Sequence, residues 1–121
     1  MEQTASECLK TGDTLQNGKY QIIGVLGFGG FGITYKAYDN VLCIEVAVKE
    51  YFPRNLIFRN RDEGCEIATV AYSRLDSFEE GKARFLEEAR QLATLQGLQS
   101  IVLVREYFEE NGTAYIAMEY L

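Results

Sequence analysis

Residues 26–35 read Leu-Gly-Phe-Gly-Gly-Phe-Gly-Ile-Thr-Tyr, and the apolar segment Val46-Ala47-Val48-Lys49 follows shortly afterwards. Three glycines at the spacing G-x-G-x-x-G remove side chains, so that backbone N–H groups can close over a polyphosphate. In a dinucleotide-binding unit, a helix would begin directly after the last glycine. Here the residues after Gly32 are β-branched and aromatic, and Asp39-Asn40 then marks a turn. The stretch therefore predicts a glycine-rich β-hairpin.

Lys49 lies near the end of a predicted strand that runs from about Leu42 to Glu50. Because side chains alternate along a strand, Ala47 and Lys49 share one face of it. A small residue beside a lysine suits a nucleotide, since a flat base needs room and its phosphates need a cation. A solvated lysine at a strand end is the alternative for Lys49 taken alone. The glycine hairpin upstream favours the phosphate contact.

Residues 77–95 are predicted to form the one long helix, and two neighbouring glutamates in it differ in position. Glu87 lies on a row that is polar throughout. Glu88 instead belongs to an apolar stripe at steps of three and four residues, with Gly81, Phe85, Leu92 and Leu95. A carboxylate within an inward-facing stripe needs a cationic partner, because an unpaired buried charge is costly. Lys49 is the candidate partner, and the alternative is a Glu88 side chain that reaches solvent.

The whole pattern predicts an α+β fold, with a five-stranded antiparallel sheet and one long helix. The predicted strands span about 20–27, 31–38, 42–50, 101–108 and 113–120. Ser77 and Glu80 form a capping-box pattern at the start of the helix, and Asn111-Gly112 predicts a tight hairpin turn. We predict a polar leader over residues 1–18 and a single lobe over residues 19–121. Within this lobe, the apolar residues of segment 51–76 follow neither helical nor strand spacing for long. We predict that this segment is an insertion, with a short strand at about 66–72.

The composition excludes several classes of function. The chain has 121 residues, a net charge of −6 and no cluster of lysine and arginine, which argues against nucleic acid or an anionic membrane as a partner. No aliphatic run is long enough to span a bilayer, and the N-terminus lacks the features of a secretion signal. Three widely spaced cysteines and no histidine argue against a zinc site or a disulfide framework. We therefore expect reduced cysteines and a cytoplasmic location.

Together, these motifs resemble the N-terminal lobe of eukaryotic-like (Hanks-type) serine/threonine protein kinases, especially bacterial ones. The resemblance covers about residues 15–121. It is carried by the glycine loop, the strand that ends in Lys49, the glutamate on the helix, and the terminal segment Met118-Glu119-Tyr120-Leu121. The segment Lys49-Glu50-Tyr51-Phe52-Pro53 is also similar to one bacterial branch of the family.

The resemblance implies an ATP site. The backbone from Gly27 to Gly32 would cover the phosphates, and Lys49 would contact the α- and β-phosphates while paired with Glu88. The implied cofactor-binding residues are Leu26, Gly27, Phe28, Gly29, Gly30, Phe31, Gly32, Thr34, Ala47, Lys49, Met118, Glu119 and Leu121. Phe31 would lie at the loop tip, and the main chain of Glu119 and Leu121 would bond the adenine edge. Thr34 departs from the usual valine, so its hydroxyl would need a partner under the base.

The 121 residues lack the rest of the family's catalytic machinery. Phosphoryl transfer needs an aspartate for the substrate hydroxyl, and an asparagine and a second aspartate for Mg²⁺. In the family these residues follow the hinge, in the C-terminal lobe. Asn60-Arg61-Asp62 is the nearest imitation, but Ile67 stands where the asparagine should be. We expect weak ATP binding, no Mg²⁺ site without a C-terminal lobe, and no catalysis by this chain alone.

Two other functions are compatible with the sequence. The first is a non-catalytic interaction module from a short kinase gene. It would pair with a C-terminal lobe, or form a homodimer by exchange of the helix or a strand. Either contact would use the apolar surface that a second lobe would cover. The second is a dinucleotide-binding enzyme, with Glu50 as the acid 18 residues after Gly32. The strand-like segment after the glycines disfavours this second alternative.

Overall fold

The computed structural model describes residues 7–29, 32–69, 75–95 and 103–120. These ranges contain eight strands and one α-helix. In chain order they are β1 (Thr14–Leu15), β2 (Tyr20–Phe28), β3 (Gly32–Asp39), β4 (Ile44–Tyr51), β5 (Ile57–Arg59), β6 (Ile67–Thr69), α1 (Leu75–Leu95), β7 (Val104–Glu110) and β8 (Thr113–Glu119). The predicted α+β class is confirmed.

The main sheet is antiparallel and has six strands in the order β1-β2-β3-β4-β8-β7. The prediction of five strands was one short, because β1 is a two-residue strand within the leader, where Thr14 pairs with Gln21. Two residues are too few for an alternating pattern to show in a sequence. The insertion contributes a separate hairpin, β5–β6. Its second strand falls within the short strand predicted at 66–72.

The turn between β7 and β8 matches its sequence signal. Asn111 and Gly112 adopt φ angles of 57° and 78°, the left-handed conformations that an Asn-Gly hairpin turn requires. This turn sets the register in which Phe108 faces Tyr115 and Tyr107 faces Ile116. Alternate β8 residues therefore project to opposite faces of the sheet.

The sheet curls around a core on its concave face. Tyr20 on β2 stacks on Phe108 on β7, with ring centroids 5.8 Å apart, although these strands lie far apart in the strand order. Phe108 in turn stacks on Tyr115 at 5.2 Å. Val46 and Val48 of β4 are fully buried against the same core. Leader and insertion also contribute buried side chains to the core, namely Cys8, Leu9, Leu15, Phe52, Leu56 and Ile57.

Helix α1 packs on the other face of the sheet, against the end of β4. The ring of Tyr51 lies 5.2 Å from that of Phe78 and 5.5 Å from that of Phe85, and its hydroxyl donates to the Phe78 carbonyl at 3.0 Å. The helix is already regular at Leu75, so the predicted capping box is wrong: Ser77 lies inside the helix. In the ranges described, no helix has the length and apolar character needed to cross a bilayer.

Candidate functional site

A cavity of about 580 Å³ opens between the β2–β3 hairpin, the end of β4 and helix α1. Gly29 and Gly32 line its hairpin side, Lys49 its strand side, and Glu88 its helix side. The turn that follows β4 closes a further side through Pro53. Four elements from distant parts of the sequence thus meet at this cavity.

The glycine hairpin has a structural requirement for glycine at position 32. A Cβ atom there would lie 2.5 Å from the carbonyl oxygen of Glu50 and 3.6 Å from Cε of Lys49. No side chain fits at the shorter distance, so the hairpin backbone can lie directly against β4 only with glycine. The N–H of Gly29 donates to the carbonyl of Gly32 at 2.8 Å and closes the hairpin. Gly30 and Phe31, the predicted loop tip, lie outside the described residues.

Lys49 is half-buried and is positioned by β-sheet register on both sides. It faces Thr34 on β3 and Ile116 on β8. The predicted departure from the family, Thr34, therefore lies directly beside the lysine. Within the described ranges, no ion pair involves Lys49, so its ammonium group has no protein carboxylate as a fixed partner there.

Glu88 lines the same cavity, but it is exposed, and its predicted place within the buried stripe is wrong. Over residues 75–91 of α1, the buried residues are Phe78, Phe85 and Ala89, because the helix packs against Tyr51 through the first two. Glu88 therefore lies at the rim of the packed face, exposed to solvent. No ion pair among the described residues joins it to Lys49. The Lys49–Glu88 pair stays a prediction.

The residues that the resemblance assigns to the adenine pocket, Leu26, Ala47 and Met118, are not among those that line this cavity. Ala47 is buried and faces Met118 directly across the β4–β8 pair, and it lies on the same face of β4 as Lys49. Leu26 is 45% exposed, at an irregularity in the β2–β3 pairing. The N–H of Glu119 donates to the Leu103 carbonyl at 2.8 Å. Gly27 and Phe28 belong to β2, and Leu121 lies outside the described residues.

The charges around the cavity are balanced. Arg84 and Glu80 line it together with Lys49 and Glu88, which gives two cations and two anions. In the part of the chain that the structure describes, no group of three acidic, histidine or cysteine side chains could hold a metal ion. The cavity can offer the cationic groups of Lys49 and Arg84 to a phosphate.

Sequence reasoning missed a buried charge cluster on the opposite face of β4. Glu50 and Arg59 form an ion pair in which both side chains have 0% exposure. The guanidinium reaches both carboxylate oxygens, with Nη2 bonded to Oε2 and Nη1 3.3 Å from Oε1. The hydroxyl of Tyr35 donates to Oε1 at 2.7 Å, and that of Tyr115 to Oε2 at 2.6 Å. The carboxylate thus accepts four hydrogen bonds.

The electrostatics of this cluster raise the pKa values of its two tyrosines and of Arg59. Burial raises the pKa of Tyr35 and Tyr115, and the negative charge of Glu50 raises both further. Burial lowers the pKa of Arg59, but the attraction of Glu50 exceeds that effect and the net pKa is raised. A signal for the cluster existed in the sequence, because alternation places Glu50 on the inward face with Val46 and Val48. An acid at such a position requires a partner.

Comparisons with known proteins agree with this architecture. No protein-family model matches the chain. It is 28% identical over 120 residues to serine/threonine-protein kinase B of Synechocystis sp., an alignment that covers 94% of this chain and 17% of that protein. A solved structure described as the apo form of PpkA-294 superposes with a TM-score of 0.86 and 36% identity, over 95% of this chain and 39% of that one.

A second solved structure is more distant. The kinase domain of Mycobacterium tuberculosis PknI superposes with a TM-score of 0.62 and 22% identity, over 94% of this chain and 37% of that one. At this identity the likeness shows the fold alone. The chain spans well under half the length of each of these three relatives.

Proposed function

We propose that the chain, as the N-terminal lobe of a bacterial Hanks-type serine/threonine protein kinase, binds the phosphates of ATP beneath its glycine hairpin. In a complete kinase, this lobe would serve transfer of the ATP γ-phosphate to protein serine or threonine. The observation that carries the proposal is that Gly32, Lys49 and Glu88 line one cavity. Such a cavity presents a cation beside a backbone hairpin that has room for a polyphosphate.

Each residue has a separate role in this proposal. The adenine lies on Ala47, between Leu26 and Met118, and the phosphates extend along β4 towards Lys49. The ammonium group of Lys49 neutralises the α- and β-phosphates. Glu88 approaches Lys49 by rotation of two long side chains across the cavity that both of them line. The exposed position of Glu88 leaves its side chain free to make that movement.

We propose that these 121 residues alone bind ATP weakly and transfer no phosphate. They contain neither the aspartate that positions a substrate hydroxyl nor the Asn and Asp that hold Mg²⁺ in the family. Residues of a C-terminal lobe would have to supply these groups and the second wall of the adenine pocket. Incubation with radiolabelled ATP and a generic protein substrate tests this point, and phosphorylation by the purified chain would contradict it. With three free cysteines, the cytoplasm is the compartment we propose.

Calorimetric titration with ATP tests the binding site itself. Lys49→Ala should weaken ATP binding at least about tenfold, because it removes the cation that faces the phosphates. Lys10→Ala is the matched control, since it removes the same charge from an exposed side chain of the leader. Undiminished affinity in Lys49→Ala, or an equal loss in Lys10→Ala, would contradict the role of Lys49.

A second candidate function is a module that associates with another copy of the chain. The observation that favours it is a row of large apolar side chains on β2 that are 38–49% exposed, namely Ile23, Val25, Leu26 and Phe28. Exposed apolar surface drives association. Light scattering over a range of concentrations tests this candidate, and a strict monomer at the highest concentration would exclude it.

A further inference from the structure

Glu50 connects two parts of the molecule, one through its backbone carbonyl and the other through its side chain. Its carbonyl oxygen lies so close to Gly32 that a Cβ atom there would be 2.5 Å away, so the glycine hairpin rests on the Glu50 backbone. Its side chain projects to the concave face, where Arg59 of the insertion binds it. The residue that supports the hairpin is therefore also the residue that the insertion holds.

Arg59 is itself fixed by contacts with the leader and with other residues of the insertion. Its Nε donates to the Cys65 carbonyl at 2.6 Å, and its Nη1 donates to the Glu7 carbonyl at 2.9 Å. The guanidinium also lies 5.2 Å from the ring centroid of Phe52. Arg59 thus joins the leader and the insertion to β4 at a single point.

A buried ion pair of this kind imposes one geometry on the strand that carries it. Tyr35 and Tyr115 supply the remaining donors to the carboxylate, so any displacement of Glu50 breaks hydrogen bonds in a region of low dielectric. Lys49 precedes Glu50 in the chain, and a shift of the Glu50 backbone would move it as well. Groups that bind a ligand are most effective when packing and a supporting shell of hydrogen bonds hold them in place.

We propose that Arg59 is a positioning residue for the phosphate site and acts through Glu50 on Gly32 and Lys49. The 51–76 insertion then has a role in nucleotide binding, although its Arg59 lies on the opposite face of β4 from Lys49. The choice of ATP as the ligand rests on the proposed function. The effect of Arg59 on the backbone at Gly32 and Lys49 does not require a ligand. A purely structural Arg59 would change the stability of the lobe and leave the geometry at Gly32 and Lys49 as it is.

The ratio of ATP affinity to adenosine affinity separates these two roles. A lower folded fraction reduces the apparent affinities for ATP and adenosine by the same factor and leaves their ratio unchanged. A displaced phosphate site reduces the affinity for ATP and leaves the affinity for adenosine unchanged. In Arg59→Met, the ratio should fall at least about fivefold, and Arg59→Lys should restore part of it because the cation is kept.

Arg61→Met is the matched control. Arg61 also joins the insertion to the leader, through an ion pair with Asp13 at 2.7 Å, and its hydrogen bonds to Gly64 and Cys65 stay within the insertion. The ratio should stay at the wild-type value in this variant. An unchanged ratio in folded Arg59→Met, or an equal fall in Arg61→Met, would overturn the proposal.

Two further measurements keep the proposal testable. If Arg59→Met does not fold, Tyr115→Phe removes one donor to Glu50 without leaving a buried charge unpaired, and the ratio should fall in the same direction by a smaller factor. If neither Tyr115→Phe nor Arg59→Lys changes it, the proposal is wrong. If the wild-type chain binds no ATP, the proposed function fails, and amide hydrogen exchange without ligand decides the inference separately. Exchange at Gly32 and Lys49, divided by exchange at Tyr20 at the far end of the β2–β3 pair, should be faster in Arg59→Lys than in Arg61→Met, and equal ratios would overturn it.

Discussion

A methyl group on Gly81 would overlap the hydroxyl oxygen of Tyr51 and lie 3.0 Å from its Cζ atom. The hydroxyl is held there by its hydrogen bond to the Phe78 carbonyl. Helix α1 and the end of β4 therefore approach each other at a point where only glycine fits. Since Lys49 and Glu88 project from these two elements, this contact sets the width of the cavity between them.

Gly81→Ala should destabilise the lobe by about 1–3 kcal/mol, because the added methyl group overpacks the contact with Tyr51. Inside an unconstrained helix, the same change would be stabilising by about 1 kcal/mol. Urea unfolding gives the free energy difference. The double variant Gly81→Ala/Tyr51→Phe is the control, since it removes the hydroxyl that the methyl group would meet. A stabilised Gly81→Ala variant would show that the contact does not exist in solution.

The two glycines of the hairpin should differ in their tolerance of alanine. Gly32→Ala places a Cβ atom 2.5 Å from the Glu50 carbonyl oxygen, whereas the nearest atom to a Cβ on Gly29 is 3.8 Å away. We expect Gly32→Ala to destabilise the lobe by about 1–3 kcal/mol and to weaken ATP binding, and Gly29→Ala to leave stability within about 0.5 kcal/mol. Thermal unfolding of both variants is the measurement. Equal stability of the two would contradict the close approach of hairpin and strand.

Removal of Arg59 should be far more damaging than removal of the whole ion pair. Arg59→Met leaves the carboxylate of Glu50 buried without its cation, which typically costs about 3–5 kcal/mol. In Glu50→Gln/Arg59→Met no charge stays buried, and the glutamine oxygen can still accept from a tyrosine hydroxyl. The double variant should therefore unfold at a higher urea concentration than the single one. The reverse order would show that the pair is open to water.

Stability should fall as the pH rises above about 10. The folded-state pKa values of Tyr35 and Tyr115 are raised above 10.0, the ordinary tyrosine value, by burial and by the charge of Glu50. A raised folded pKa gives stability that is fully present below the unfolded pKa and is lost above it, because the unfolded chain then releases protons that the folded one keeps. Each such tyrosine contributes a loss of about 1.4 kcal/mol per pH unit.

Urea unfolding at pH 8 and pH 10.5 measures this loss, and absorbance of tyrosinate in the folded protein reports the ionisation directly. Tyr35→Phe is the control, because it removes one titrating group. The free energy of unfolding should then fall less steeply with pH, by about 1.4 kcal/mol per pH unit. If Tyr35 and Tyr115 ionised near pH 10 in the folded chain, the buried cluster would be absent.

Much of the fold could be predicted from local patterns. The alternation along β4 and the Asn111-Gly112 turn have strong signals over few residues, and both were found where predicted. The strand β1 was missed, because two residues are too few to show an alternation of apolar and polar side chains. Its existence depends on the pairing of Leu15 with Tyr20, which only the folded chain provides.

The candidate site shows where sequence patterns become ambiguous. Steps of three and four residues on the helix define two overlapping rows, and Phe85 belongs to both of them. The row that packs inward contains Ala89 rather than Glu88, because Tyr51 meets the helix at Phe78 and Phe85. Arg59 lies in a segment where apolar residues recur at no regular spacing. Its pairing with Glu50 therefore depends on tertiary structure, which no local sequence pattern indicates.

The most direct test of the phosphate site is a titration of the isotope-labelled chain with a non-hydrolysable ATP analogue, followed by amide chemical shifts. Our account predicts the largest saturable shifts at Gly29, Gly32 and Lys49, and their loss in Lys49→Ala. Shifts confined to residues remote from the glycine loop, such as Asp39 at the far end of β3 and Leu42 in the turn that follows, would contradict it.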